Sequence, residues 1–287
     1  ARKRCIAAGM NEVLPVPVEE FRLLEAVDRL GQARAAEEGE NRRRLARHGG
    51  GDRRVVQHHD PPLGLDADLR PEGKSGPMVR SLASYATYYE RWSETWEAQA
   101  LLRARAVAGD EALGERFTAL IDPIRWPESG LEDSQVREVR RLKARMEAER
   151  LPRGADRRAH FKLGMGGLSD VEWSVQLLQL CHGHAHEGLR TTRTLEAMTA
   201  AVDAGLLASE DALVLREAWS MASLLRNAGM LFRGRPVDSV PSNLREADGV
   251  GRIVGMAPQS GLALAESYRR TARHARQVVD RIFYGEV

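Results

Sequence analysis

The chain has 287 residues, 43% of them hydrophobic and 29% charged, which suits a buried core in a soluble protein. Its 43 basic residues face 41 acidic ones, a net charge of +2 that argues against a protein binding nucleic acid through bulk electrostatics. No apolar run approaches the ~18 residues of a membrane span, and only 5% of residues are aromatic, so the core rests on Leu, Val and Ala.

The basic start, Ala1 to Ile6, has no apolar stretch behind it, and no signal peptide is expected. Cys5 and Cys181 have neither zinc spacing nor a disulfide pattern, so a reduced cytoplasmic protein is expected. Val13 to Leu30 carries apolar residues at helical spacing. Gly31 to Asp60 has almost none and reads as solvated loop, making residues 1–59 a poorly ordered region. Leu65 to Arg70 alternates and stops at Pro71, a short strand with Asp66, Asp68 and Arg70 on one face. Pro71 to Pro77 is a turn containing Lys74, after which Met78-Val79 resumes a strand.

Beyond Ser81 the pattern is helical. Leu82, Tyr85, Tyr89, Trp92 and Trp96 form one stripe, and Gln99 to Val107 a second helix stopped by Gly109. Asp110 caps Glu111 to Leu120, and Gln135 to Arg150 follows. Leu168, Val171, Val175 and Leu178 are the buried stripe of another helix. Thr194 to Ala204, Ala208 to Leu225 and Leu262 to Tyr284 complete the set. The fold class expected is mainly α, a helical bundle following a partial α/β domain, with divisions at 1–59, 60–125 and 126–287.

Two segments carry candidate chemistry. Asp66 and Asp68 with Arg70 and Lys74 suit a metal–nucleotide, since magnesium takes carboxylate and phosphate oxygens. The same residues also fit a surface strand with a local ion pair. Lys162 to Glu172 places Gly164, Gly166 and Gly167 before a helix, where exposed N–H groups suit an anion. No Lys-Ser or Lys-Thr follows these glycines as in a P-loop, and a tight turn packing the helix on a neighbour is the competing reading. Glu172, Gln176 and Gln179 lie on that helix's polar face. His182, His184 and His186 alternate in a loop without a cysteine pair, and Cys181 has no activating partner. Only Lys3, Lys74, Lys143 and Lys162 are lysines; every other basic residue is arginine.

The stretch from Asp66 to Asp110, beginning DADLRPEGKSGPMVRSL, closely resembles the glutamine synthetase adenylyltransferases. So does KLGMGGLSDVEWSVQLLQLCHG, Lys162 to Gly183, and the ending Arg281 to Gly285 looks like the C-terminus of actinobacterial members. The likeness covers about residues 60–287. It implies a bifunctional enzyme of two halves, each a nucleotidyltransferase domain followed by a helical bundle. This chain is then expected to be the C-terminal half, which moves AMP from ATP to a tyrosine of glutamine synthetase; the other half removes it by phosphorolysis. Partners implied are glutamine synthetase and the PII signalling protein, with neither nucleic acid nor membrane. The cofactor implied is Mg2+.

By the same resemblance, Asp66 is the last of three catalytic carboxylates and Asp68 a neighbouring metal position. Arg70 and Lys74 match basic positions by the phosphates. Lys162, Gly164, Gly166 and Gly167 match the bundle segment that closes over the nucleotide. The family's other two carboxylates come from a Gly-Ser-Asp-x-Asp turn, and residues 1–59 contain none. The chain is therefore expected to be a truncated or altered member with impaired transfer. The alternative is a non-catalytic helical module that binds glutamine synthetase or PII.

Overall fold

A computed structural model describes residues 70–285, which lie within one compact unit. The expected helix at 13–30, the irregular region 1–59 and the strand at 65–69 fall outside them. The described residues are mainly α, as expected. They hold α1 Leu82–Trp92, α2 Thr95–Leu101, α3 Glu111–Arg125, α4 Asp133–Arg150 and α5 Leu168–His182. There follow α6 Thr194–Asp203, α7 Ser209–Arg233, α8 Leu244–Ile253 and α9 Gly261–Val279. A π-turn at Asp280–Tyr284 extends α9. Among these residues the β-type pairing is a single antiparallel bridge, His160 to Ser239.

Several boundaries differ from the periodicity, each for a local reason. The stripe from Leu82 to Trp96 is broken at Ser93 and Glu94, because Glu94 and Glu97 form a capping box that starts α2. Only its middle is buried: Tyr89 is covered, while Trp92 is 68% exposed. The helix expected from Gln99 to Val107 does not form, since α2 ends at Leu101. Arg125 takes the carbonyls of Leu101 and Ala104 at 3.4 and 3.1 Å. Leu101 and Leu102 enter two different apolar clusters. Met78 and Val79 are exposed and not in a strand. Helix α8 was not anticipated from the spacing. Asn243 caps it by accepting from Arg245 and Glu246, and Ala247, Val250 and Gly251 are its buried face.

The interior has two large apolar clusters. One collects Val139, Val171, Val175, Met198, Leu215, Val279 and Phe283 from α4, α5, α6, α7 and the end of α9. The other gathers Phe161, Leu168, Leu225, Val250, Leu264 and Tyr268. Trp219 of α7 packs against both. Helix α7 buries Ala212, Ala218, Ala222, Ala228 and Gly229, and small side chains let its neighbours approach closely. The spacing in Leu262 to Tyr284 puts Tyr268, Ala272, Ala275, Val279, Ile282 and Phe283 on one side; all are buried except Ile282, which is partly so.

The segment before α5 is pressed onto α9. Gly166 has φ +69°, and a Cβ there would lie 1.8 Å from the Ala272 carbonyl oxygen. Gly154 has a similar φ, +79°, with nothing within 4 Å of the same position. Gly154→Ala should therefore cost only the left-handed conformation, about 1–2 kcal/mol. Gly166→Ala should add an overpacking cost of about 1–3 kcal/mol. Urea unfolding midpoints of the two variants measure the difference; equal losses would mean that the turn does not bear on α9.

Candidate functional site

The loop from Phe161 to Asp170 is closed by its own backbone. Phe161 donates its N–H to Asp238, Gly164 to His160, Met165 to Arg157 and Gly167 to Gly164. Leu168 and Ser169 donate back to the carbonyls of Phe161 and Lys162, and Asp170 to Gly167. The amides of Lys162 and Leu163 both point at Nδ1 of His160, at 3.2 and 3.0 Å. The Gly166 amide donates to Oδ2 of Asp170 at 2.7 Å. Every backbone N–H from 161 to 170 is thus committed inside the protein, which corrects the expectation of open N–H groups at these glycines. Gly164, Gly166 and Gly167 are buried and shape a packing turn. A Cβ at Gly164 or Gly167 would strike the carbonyls of His160 or Phe161 at 2.3 or 2.6 Å.

Lys162 is the exposed cation of this loop. Its amide and carbonyl are both held, yet the residue is exposed. Neighbouring cations are paired: Arg157 with Glu147, Arg226 with Asp238 and Arg269 with Asp156. Lys162 has no ion pair among the described residues.

Beneath the loop sits a buried charge cluster that the sequence did not announce. Asp170 and Lys143 are each 1% exposed. Lys143 Nζ donates to Asp170 and to Glu147. Arg276 Nη1 reaches Asp170 Oδ2 at 3.1 Å and lies 3.6 Å from Glu147. Its Nε is 2.7 Å from Asp280 as an ion pair, without hydrogen-bond alignment. Burial alone would raise the Asp170 carboxyl, but Lys143 and then Arg276 hold it below its ordinary range. Burial opposes the charge of Arg276, and Asp170, Asp280 and Glu147 more than offset it. The Tyr284 hydroxyl, 3.4 Å from Glu147, is pushed up to about 12 by burial and then by that carboxylate. Arg140 Nε donates to the Phe283 carbonyl, so α4 grips the π-turn at a second point.

His160 is 4% exposed, and its carbonyl accepts from the Tyr268 hydroxyl at 3.2 Å. Burial lowers the imidazole's affinity for a proton; Asp238 opposes this, while Arg226 and Lys162 reinforce it. With Nδ1 accepting two amides, the neutral ring carries its proton on Nε2.

The other expected residues are placed as follows. Asp66 and Asp68 lie outside the described residues. Arg70 donates Nε and Nη2 to the Gly76 carbonyl at 3.1 and 3.0 Å, closing its own turn. Lys74 is in the 3-10 turn Gly73–Ser75. The polar face of α5 is a seam rather than a solvated surface. Gln176 accepts from Gln99 at 2.8 Å, Gln179 donates to the carbonyls of Leu189 and Thr191, and Glu172 accepts from Trp219 at 3.3 Å. His182 ends α5 instead of lying in a loop. Among the described residues no group of three or more His, Cys, Asp or Glu side chains is placed to hold a metal ion. Burial raises the Cys181 thiol, which keeps it protonated and unreactive.

Comparison with known proteins divides along the same lines. Residues 140–284, which contain the charge cluster, the loop and the π-turn, match the family described as GlnD PII-uridylyltransferase. Residues 55–120 match the family described as Glutamate-ammonia ligase adenylyltransferase. Both descriptions are of nucleotidyltransferases, which sets the class of the chain. Among its relatives are bifunctional glutamine synthetase adenylyltransferase/adenylyl-removing enzymes. That of Streptomyces avermitilis is 63% identical over 81% of this chain and 24% of its own length. That of Streptomyces coelicolor is 60% identical over 81% and 23%, and that of Mycobacterium avium 51% identical over 78% and 22%. The chain belongs to the glutamine synthetase adenylyltransferase family, and it spans about a quarter of the length of these relatives.

Asp170→Asn leaves Lys143 and Arg276 facing no full charge at this position. A loss of about 3–5 kcal/mol in unfolding free energy is expected, as for one broken partner of a buried pair. The Asp170 contribution is present above the ordinary carboxylate range and is lost as pH falls through the lowered folded value. Urea titrations at pH 7 check the magnitude; a loss as small as that of the exposed pair Arg273–Glu266 would mean the cluster is wet.

Proposed function

We propose that this chain is a helical domain, with the adjoining end of a nucleotidyltransferase domain, from an enzyme that moves AMP from ATP to a tyrosine of glutamine synthetase. The supporting observation is Lys162: an exposed ammonium without an ion pair among the described residues, on a backbone pinned from both sides, inside the segment that matches a nucleotidyltransferase family. With the backbone already fixed, only the side chain remains to be ordered when such a cation meets a phosphate. Lys162 faces a phosphate of the nucleotide, and the glycines act by holding the turn instead of donating to the ligand. Arg70 and Lys74 belong to the same nucleotide site. Asp66 and Asp68 are the magnesium ligands in this reading; bound there, magnesium supplies positive charge against the triphosphate. The described residues offer no carboxylate set of their own for it.

The reading also makes the chain cytoplasmic, and glutamine synthetase and PII its partners, with PII carrying the nitrogen signal. No helix among the described residues is long and apolar enough to cross a membrane. One sequence observation favours a second reading. Residues 1–59 hold no Gly-Ser-Asp-x-Asp turn, and a two-metal site lacking two carboxylates forfeits several kcal/mol of barrier lowering. In that case the chain transfers AMP poorly by itself and acts as a helical module on glutamine synthetase or PII.

Binding of labelled Mg-ATP to the chain, beside Lys162→Ala, tests the nucleotide site. Loss of one charge-assisted contact is expected to weaken binding about tenfold, and unchanged binding would remove Lys162 from it. Incubation with α-labelled ATP, magnesium and glutamine synthetase, beside Asp66→Asn, then separates the readings. Label that disappears in the variant identifies a competent enzyme; binding without label identifies the module.

A further inference from the structure

We infer that His160 is the positioning residue for Lys162, its Nδ1 acting as the shared acceptor for the amides of Lys162 and Leu163. The inference deepens the nucleotide reading of Lys162 and rests on it. The geometry is that of an Asx turn, in which a side-chain acceptor at one residue takes the N–H groups two and three residues on. Here the imidazole does so at 3.2 and 3.0 Å.

The ring can hold this role because its own backbone is fixed on three sides. The His160 carbonyl accepts from Gly164 and from the Tyr268 hydroxyl of α9. The flanking residues pair with the segment after α7, Phe161 to the Asp238 carbonyl and Val240 to the Ala159 carbonyl. Phe161 packs edge-on against Tyr268 at 5.0 Å and is 1% exposed. Lys162 is consequently the point where a buried anchor passes directly into an exposed cation.

The acceptor exists only while Nδ1 is unprotonated. A proton there would replace the shared lone pair with an N–H facing two other N–H groups, in a site with little access to water. The charged groups facing the ring are Asp238 after α7, Arg226 on α7 and Lys162 on the loop; Tyr268 of α9 faces its carbonyl. Asp238 is itself paired with Arg226 at 2.7 Å, so the one carboxylate that would welcome a second charge is already engaged. Burial favours the neutral ring, so the sign is fixed. The folded ring takes its proton below the ordinary histidine range near ~6.5, and the loop geometry is retained above that range and weakened as pH falls below it.

Asparagine separates positioning from bulk, because its Oδ1 accepts two amides in the same turn and does not titrate. Binding of labelled Mg-ATP to the full chain should be weakened several-fold by His160→Ala and changed less than about twofold by His160→Asn. In the Lys162→Ala background, His160→Ala should add little, since both act through one contact. The ratio of unaltered-chain to His160→Asn affinity should hold steady above the ordinary histidine range and fall as pH is taken below it, a comparison that cancels any titration of the nucleotide itself. Amide exchange at Lys162 and Leu163, read by NMR, should speed up in His160→Ala and not in His160→Asn. Parallel pH profiles, an Asn variant as weak as Ala, or multiplicative losses in the double variant would overturn the inference while leaving Lys162 at the nucleotide. Absence of Mg-ATP binding, or binding indifferent to Lys162→Ala, would overturn the nucleotide reading and His160's role with it; the exchange data would then show only a structural turn.

Discussion

One buried carboxylate ties α4, the start of α5, the loop before it and α9 to a single point. Asp170 accepts from Lys143 of α4, from Arg276 of α9 and from the Gly166 amide, while itself sitting in the first turn of α5. Four pieces of chain therefore meet at one buried charge. A buried ion pair adds little net stability compared with an apolar replacement, but breaking one side of it is costly. Its effect is to make relative placement exacting: α4, α5 and α9 must arrive together before any of the charges is satisfied. Apolar packing is more forgiving, because clusters of Leu, Val and Ala tolerate small shifts.

That requirement explains why the glycine loop is shaped as it is. Asp170 has to reach back to residue 166, so the chain must turn tightly, with φ +69° at Gly166 and the backbone against Ala272. Once the turn closes, all of its N–H groups are consumed. Glycine-rich loops that bind anions leave those groups pointing outward; this one turns them inward and leaves the side chains of Lys162 and Met165 outside, of which only Lys162 is charged. A segment that looks like a cradle from composition is thus a clamp in three dimensions, and its chemistry passes from the backbone to Lys162.

The fold class and most helices were legible in the sequence, since caps such as Asp110 and stripes such as Leu168–Val171–Val175 are local signals. The missed features are those set by distant residues. Helix α2 stops where Arg125, beyond the next turn, takes its carbonyls. The polar face of α5 is legible as polar, but nothing local tells that Gln99 covers Gln176. His160 was silent for the same reason, as an isolated histidine has no spacing to read. Lys143 did leave a trace. In a chain whose basic residues are nearly all arginine, it is one of four lysines, and a compact ammonium suits a closed site between two carboxylates better than a planar guanidinium does.

The two family matches meet at a seam rather than at a linker. Helix α2 belongs to the first matched segment, residues 55–120, yet it packs on α4 and α5, which lie largely or wholly in the second. Ala98 and Leu102 share an apolar cluster with Leu180 of α5, and polar pairs flank it: Thr95 with Glu138 at 2.8 Å, Gln99 with Gln176, and Arg103 with the Thr192 carbonyl and Thr194 hydroxyl at 2.7 Å. Polar pairs are directional and so favour one register, most of all the partly buried Gln99–Gln176 pair. The end of the first segment is thereby held in register with α5, whose N-terminus carries Asp170 and the clamp.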